Sequence, residues 1–194
     1  MRDVLQVLER RRAARLCCIC ARIMSACDDE ILEASMRTGK DSLGPREVPF
    51  AEYYGLQTQR AITNYPASGF CAHPELIRAT AMVKKAAAIA NGELKLIDAS
   101  RERAIARAAD EVIARKWNDQ FVVDVYQAAV GVSFHMNANE VIANRAIELL
   151  GGKRGDCRIC HPNDHVNCSR STNDVFPTAM RLASYFYLAR DLLH

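Results

Sequence analysis

The stretch Asn137-Ala138-Asn139-Glu140-Val141-Ile142-Ala143-Asn144-Arg145-Ala146-Ile147-Glu148-Leu149-Leu150-Gly151-Gly152 decides the reading of the fold. Asn137 or Asn139 supplies an N-cap, because an Asn side-chain oxygen accepts from the free N–H groups of a first turn. Gly151-Gly152 closes the element, since glycine adopts the left-handed backbone of a helix end without strain. The stretch therefore predicts a helix through Leu150. Working outward, Pro74 at a first-turn position opens a helix over Glu75 to Asn91. Its apolar stripe is Leu76, Ile77, Met82, Val83 and Ile89, and Gly92 ends it. A second helix is expected from about Ser100 to Trp117, with a short apolar continuation over Asp119 to Val125. A last helix begins near Asn173 and runs to the end of the sequence, with Pro177 placed in its first turn. The architecture is mainly α.

Upstream of Pro74 the pattern changes. Gly39, Gly44, Pro45, Pro49, Gly55, Pro66 and Gly69 punctuate residues 37–70, which read as loop. Short strands fit around Glu47-Val48 and Tyr53-Tyr54. Residues 1–36 differ again. Arg2, Arg10, Arg11, Arg12, Arg15 and Arg22 precede Met24 against only Asp3 and Glu9, and Cys17, Cys18, Cys20 and Cys27 fall in the same segment. The apolar run Leu16 to Met24 is short for a secretory signal, and the acidic residues argue against a transit peptide. The segment reads as a basic, Cys-rich extension.

Composition bounds the function classes. The 194 residues are 49% hydrophobic and 25% charged, which is globular and excludes wholesale disorder. No run of 18 apolar residues occurs, so the expectation is no membrane span. The net charge of +3 comes from interleaved acids and bases, which gives no nucleic-acid footprint. Eight cysteines without a secretory signal point to free thiols in a reducing, cytoplasmic setting.

Three segments carry groups suited to chemistry. Cys157-Arg158-Ile159-Cys160-His161 matches the C-x-x-C-H pattern of c-type haem attachment. Attachment needs export to an oxidising compartment, and no export signal is visible, so coincidence is favoured. A zinc site from Cys17, Cys20, Cys157 and Cys160 lacks finger spacing; no metal and no cofactor are expected. Ser171-Thr172-Asn173 gathers two hydroxyls, an amide and free helix-start N–H groups, which suits a carboxylate. A plain N-cap explains the same residues. The small-residue loop Gln127-Ala128-Ala129-Val130-Gly131-Val132-Ser133-Phe134-His135 lets backbone amides approach a ligand closely. A tight connection between helices explains it equally.

Taken together these segments resemble the N-terminal part of the aspartase/fumarase family. The resemblance begins at Lys40-Asp41-Ser42-Leu43-Gly44 and Glu47-Val48-Pro49 and continues through Tyr53-Tyr54-Gly55-Leu56-Gln57-Thr58-Gln59-Arg60-Ala61. It passes His73-Pro74-Glu75 and Val83-Lys84-Lys85-Ala86-Ala87 to Met136-Asn137-Ala138-Asn139-Glu140-Val141-Ile142-Ala143-Asn144. His161-Pro162-Asn163-Asp164-His165-Val166-Asn167 and Ser171-Thr172-Asn173-Asp174 complete it. It covers residues 37–194. Tyr53-Tyr54-Gly55, His165, Thr172 and Arg181 lean toward the aspartase branch, because fumarases tend to differ at those places. Cys160-His161-Pro162-Asn163-Asp164 is a common form of the family loop, so the haem-like pattern follows from Cys157 alone.

The resemblance implies removal of a β-proton from L-aspartate through an aci-carboxylate, giving fumarate and ammonia. Ser171, Thr172 and Asn173 are implied to contact the substrate, with Val132 and Ser133 in the loop that offers donors to its carboxylate. His161, Asn163 and Asp164 form a second tier around an anion-binding loop. Val132 stands where the family has Thr, and losing one such donor typically costs roughly a hundredfold in rate. Ala128 and Ala129 stand where it has glycines, and His135 where it has Asn. The family's base is a Ser in a Gly-Ser-Ser…Met-Pro…Lys…Asn loop, a motif absent from these 194 residues. The expected organisation is an extension over 1–36, a lyase N-terminal domain over 37–171, and the start of a bundle helix over 172–194. A homotetramer acting on a small dicarboxylate is implied. No catalytic residue is assigned within these 194 residues, and by themselves they are expected to be inactive. The alternatives are a class II fumarase and a non-catalytic binding module. The last helix carries Val175, Phe176, Met180, Leu182, Tyr185, Phe186, Leu188, Leu192 and Leu193, a surface expected to have no partner within these residues and so to drive aggregation or non-native association.

Overall fold

The computed structural model describes residues 36–41 and 43–193. The reading of the N-terminal extension therefore lies outside the described residues, as do Cys17 and Cys20. Strand β1 (Met36–Asp41) pairs antiparallel with β2 (Gly44–Pro49), bringing Asp41 opposite Gly44. Gly44 takes φ +106°, which suits a residue without Cβ at this turn. The Asp41 carboxylate accepts from Leu43 N–H at 2.9 Å and from Arg60 at 2.8 Å, which ties the turn to the next element. Glu47-Val48 lies in β2 as read. Tyr53-Tyr54 forms no strand: both rings are buried, and Tyr53 O–H donates to Glu148 at 2.6 Å.

Helix α1 (Leu56–Asn64) forms within a segment whose sequence reads as loop. Its start is capped from outside its own sequence, by the Glu140 carboxylate, so local pattern gave no sign of it. Helix α2 (Pro74–Glu93) has Pro74 at its first position, as expected, and His73 as N-cap through Nδ1. Its buried face differs from the stripe read in the sequence. Ile77, Ala81, Lys84, Ala88 and Asn91 face inward, whereas Ile89 is exposed. Gly92 lies inside α2 and does not end it. A Cβ there would stand 2.5 Å from Glu102 Cγ, so Gly92 permits close approach to the helix that carries Glu102.

Helix α3 (Ala99–Ile113) is capped by Asp98, which accepts from Ser100 and Arg101 N–H. It stops short of Trp117, with Arg115 at φ +63°. Trp117 folds back onto Tyr53 at 4.5 Å between ring centroids. The expected short helix over Asp119 to Val125 is one 3₁₀ turn, Asn118–Gln120, followed by extended chain in which Asp124 bridges to Cys71.

Helix α4 (Val132–Leu149) begins five residues before Asn137. Asn137 and Asn139 are therefore not caps but buried interior residues. Asn137 donates to Gln120 C=O at 2.9 Å and accepts from Val122 N–H at 3.2 Å, and Asn144 donates to Tyr53 C=O at 2.7 Å. A helix buried nearly all round cannot spend such amides on water, so they tie down the loops that cross it. Val141, Ile142 and Ile147 sit at the centre of the core, each contributing about 1.5–3 kcal/mol by burial. Gly151, at φ +81°, closes α4 as expected.

A short π-helical turn, Pro162–Val166, leads to α5 (Thr172–Asp191). Ser171 caps α5 in a reciprocal box with Asp174. Pro177 is the sixth residue of α5, in the second turn and not the first. Lacking an N–H, it leaves the Asn173 carbonyl without its usual donor four residues on. One side of α5 packs on α2, with Val175 and Ala179 buried. No helix among the described residues is long and apolar enough to cross a membrane.

Candidate active-site segments at the starts of α4 and α5

The start of α5 faces the start of α4. Thr172 Oγ1 lies 2.7 Å from His135 Nδ1, which joins the two helices directly. His135 Nε2 lies 2.6 Å from Lys84 Nζ, and that amine also donates to Asn167 Oδ1 at 2.7 Å. Lys84 and His135 are both almost fully buried. Burial pushes the Lys84 amine down to about 6, with the Arg170 guanidinium adding to the shift and Asp174 opposing it. Burial, then Lys84 and Arg170, push His135 down to about 3, so its ring is neutral near pH 7. Arg170 donates to Val166 C=O, while its Nε and second terminal nitrogen are buried without a protein partner.

Ser171 answers the question left open by its sequence. Its hydroxyl accepts from Asn173 N–H at 3.2 Å, so it serves as an N-cap. Thr172 does not cap; its hydroxyl is held by His135. Asn173 is exposed at the helix start. The capping box takes up the N–H groups of Ser171 and Asn173, so what this end of α5 offers is the Thr172 hydroxyl and the Asn173 amide, at a terminus whose helix field favours an anion.

The loop before α4 is backbone-strained. Ala129, Val130 and Gly131 have φ values of +23°, +34° and +83° in succession. Only glycine adopts this region freely, so two residues with Cβ atoms are held there by their surroundings. Phe134 N–H donates to Gln127 Oε1 at 2.6 Å, and Val132 N–H to Ala129 C=O at 2.8 Å. Gly131 lies flat against Phe176 of α5: a Cβ there would fall 2.6 Å from the ring. The loop and the start of α5 are therefore neighbours, as a shared site requires. Val132 is exposed and Ser133 buried.

The second-tier residues sit elsewhere. His161 caps the π-helical turn, its Nδ1 accepting from Asn163 and Asp164 N–H at 3.3 and 3.1 Å. His161 and Asn163 line a cleft of about 460 Å³ with Arg37, Gln57, Glu140 and Cys157. None of Val132, Ser133, Ser171, Thr172 and Asn173 lines it. Asp164 is exposed. The C-x-x-C-H pattern is not arranged for haem: Cys160 points into the core, where burial raises its thiol to about 12, and His161 Nδ1 is occupied by backbone. Among the described residues no cluster of His, Cys, Asp and Glu is placed to hold a metal.

Sequence reasoning missed Lys84 and His135 as partners. The signal was present in the spacing Ile77, Ala81, Lys84, Ala88: a lysine on an alanine-rich face at helical period demands a buried acceptor.

A family profile described as a lyase matches residues 44–194. The chain belongs to the aspartase/fumarase family of lyases. Within this family it is 53% identical over 152 residues to an aspartate ammonia-lyase of Bacillus sp., covering 78% of this chain and 32% of that protein. It is 57% identical over 156 residues to a class II fumarate hydratase of Halobacterium salinarum, covering 80% and 33%. Both branches thus stand at similar distance. Among solved structures, a fumarate lyase from Brucella melitensis superposes with a TM-score of 0.78 at 51% identity, covering 79% of this chain and 36% of that one. A class II fumarase from Schistosoma mansoni gives 0.76 at 36% identity, covering 80% and 33%. The chain spans about a third of the length of the curated relatives it matches. Over the covered residues, the mainly α fold is that of the corresponding part of these lyases.

Proposed function

We propose that the starts of α4 and α5 form the carboxylate-holding part of an aspartate ammonia-lyase site, which converts L-aspartate to fumarate and ammonia. The observation that carries this reading is the Thr172 hydroxyl, fixed by buried His135 at a helix N-terminus beside Ser171 and Asn173. Removal of the β-proton places charge on the adjacent carboxylate, and loss of ammonia returns the electron pair to form the C=C bond. Hydroxyl and side-chain amide donors aimed at that carboxylate, at the positive end of the helix, stabilise the charge as it develops. Ser133 belongs to the same donor set, and Val132 occupies a place where a hydroxyl is missing. His161, Asn163 and Asp164 are proposed as a second anion-holding loop.

Proton abstraction needs a base, and no described residue at this site meets that need. Lys84 and His135 are buried behind Thr172 and are committed to each other. The 194 residues are therefore proposed to bind a dicarboxylate without converting it. The whole protein is proposed to act in the cytoplasm as a homotetramer, without metal or cofactor. The proposed organisation keeps a lyase domain over 37–171 and a bundle helix from 172.

The test is calorimetric titration of the chain with succinate, L-aspartate and L-malate. Binding of succinate that is lost in Asn173→Ala supports the site. Preference for L-aspartate over L-malate supports the ammonia-lyase branch. The reverse preference supports the second reading, fumarate hydration, since the class II fumarate hydratase stands at an identity similar to that of the ammonia-lyase. Absence of dicarboxylate binding overturns both.

A further inference from the structure

With Lys84 protonated, the chain Asn167–Lys84–His135–Thr172 fixes the direction of a proton. Asn167 donates its Nδ2 to Arg170 C=O at 3.0 Å, so its Oδ1 is the atom facing Lys84, and Lys84 must donate to it. Lys84 approaches His135 Nε2 at 2.6 Å. An ammonium has only donors, so it requires a bare Nε2 and places the ring proton on Nδ1. That Nδ1–H then donates to Thr172 Oγ1 at 2.7 Å. A hydroxyl that accepts from behind turns its own hydrogen forward, away from His135 and toward the helix start. The opposite tautomer would draw the Thr172 hydrogen inward and present a lone pair, which repels a carboxylate.

We infer that His135 is a positioning residue which, held from behind by Lys84, makes the Thr172 hydroxyl a hydrogen-bond donor toward a carboxylate at the start of α5. This rests on the reading of that helix start as a carboxylate site, and it adds the residue that orients the donor. A neutral amine at Lys84 permits either tautomer, and a bound carboxylate selects the same one. The ring itself stays uncharged, because burial, then Lys84 when protonated and the Arg170 guanidinium, disfavour an imidazolium, with Asp174 and Asn167 opposing. His135 acts through tautomer and not through charge.

Two measurements on the full 194-residue chain decide the matter. The first is ¹⁵N NMR of histidine-labelled chain, without ligand, below the titration of Lys84 near pH 6. A protonated Nδ1 and bare Nε2 at His135 are expected; the reverse pattern overturns the relay whether or not any ligand binds. The second is succinate affinity by calorimetry. His135→Leu and Thr172→Val should each weaken binding by about tenfold, the worth of one hydrogen bond to a charged group, and the double variant no further. His135→Asn should restore affinity to within a few-fold, because its amide can donate to Oγ1. Unchanged affinity in His135→Leu overturns the inference. Unaltered chain that shows the expected tautomer but binds no succinate overturns the functional reading, and with it the carboxylate half of this inference.

Discussion

The Glu140 carboxylate reaches out of α4 to Thr58 in α1, accepting from its hydroxyl at 2.6 Å and from its N–H at 3.1 Å. The same carboxylate accepts from Gly55 N–H at 2.8 Å and Gln57 N–H at 2.9 Å. One buried side chain thus satisfies most of the orphan donors of a helix 80 residues earlier in the chain. Burial pushes its carboxyl upward, while the hydroxyl and three N–H groups pull it back toward the charged form. The first prediction follows from the donors. Glu140→Ala leaves them buried without an acceptor, each costing about 1–3 kcal/mol. A loss of about 3 kcal/mol or more in urea unfolding is expected. Gly55→Ala should also destabilise, because its Cβ would lie 2.7 Å from Glu140 Oε1.

Lys84 and His135 give the chain a pH-dependent stability with a defined sign. Both have folded pKa values below their ordinary ones, so across each window the unfolded chain binds more protons than the folded chain. Stability therefore rises with pH between the folded and ordinary values of each group. For Lys84 that window runs from about 6 to 10.5, and for His135 from about 3 to 6.5. Urea midpoints should climb from pH 4 to pH 9. His135→Asn should flatten the acid part of that curve, and Lys84→Met the alkaline part. A midpoint independent of pH in the unaltered chain would contradict the burial of both groups.

These examples show how much could be read from residue order. Pro74, Gly151 and the polar triplet at 171–173 announced helix ends because capping is local chemistry, decided within four residues. The start of α1 was illegible because its cap, Glu140, lies far along the chain. Asn137 and Asn139 misled for a related reason: an Asn suited to capping is equally suited to binding a crossing loop inside a buried helix. The resemblance supplied the candidate site, yet it treated His135 only as a departure in a loop. Its role depends on Lys84, one helix away, and no spacing rule joins residues 84, 135 and 172.

The outer face of α5 yields a prediction about association. Val175 and Ala179 pack inward against the body, but Tyr185 is 65% exposed, Leu192 73% and Leu193 76%. The expectation of a helix short of partners thus holds for one side only. Contiguous apolar surface of this kind seeks burial against another molecule. Sedimentation velocity should show concentration-dependent self-association of the 194-residue chain. Paired Tyr185→Lys and Leu188→Lys substitutions, both on exposed positions, should reduce it without lowering the melting temperature.

The loop ahead of α4 provides the sharpest test of the site. Val132 is exposed at the mouth of the loop, next to a helix start already furnished with Thr172 and Asn173. Val132→Thr changes shape little and adds one hydroxyl. If the loop donates to a carboxylate, that hydroxyl should strengthen succinate binding by about tenfold, the usual worth of a hydrogen bond to a charged group. Ala129→Gly acts on the backbone instead. It removes a Cβ at φ +23°, and relief of that strain should stabilise the fold by about 1 kcal/mol. The two substitutions have separable readouts, affinity for one and urea midpoint for the other. Combined, they should add, because one alters a donor and the other the conformational cost of presenting it. A Val132→Thr chain that binds succinate no better than the parent would remove the loop from the site and leave the start of α5 as the whole of it.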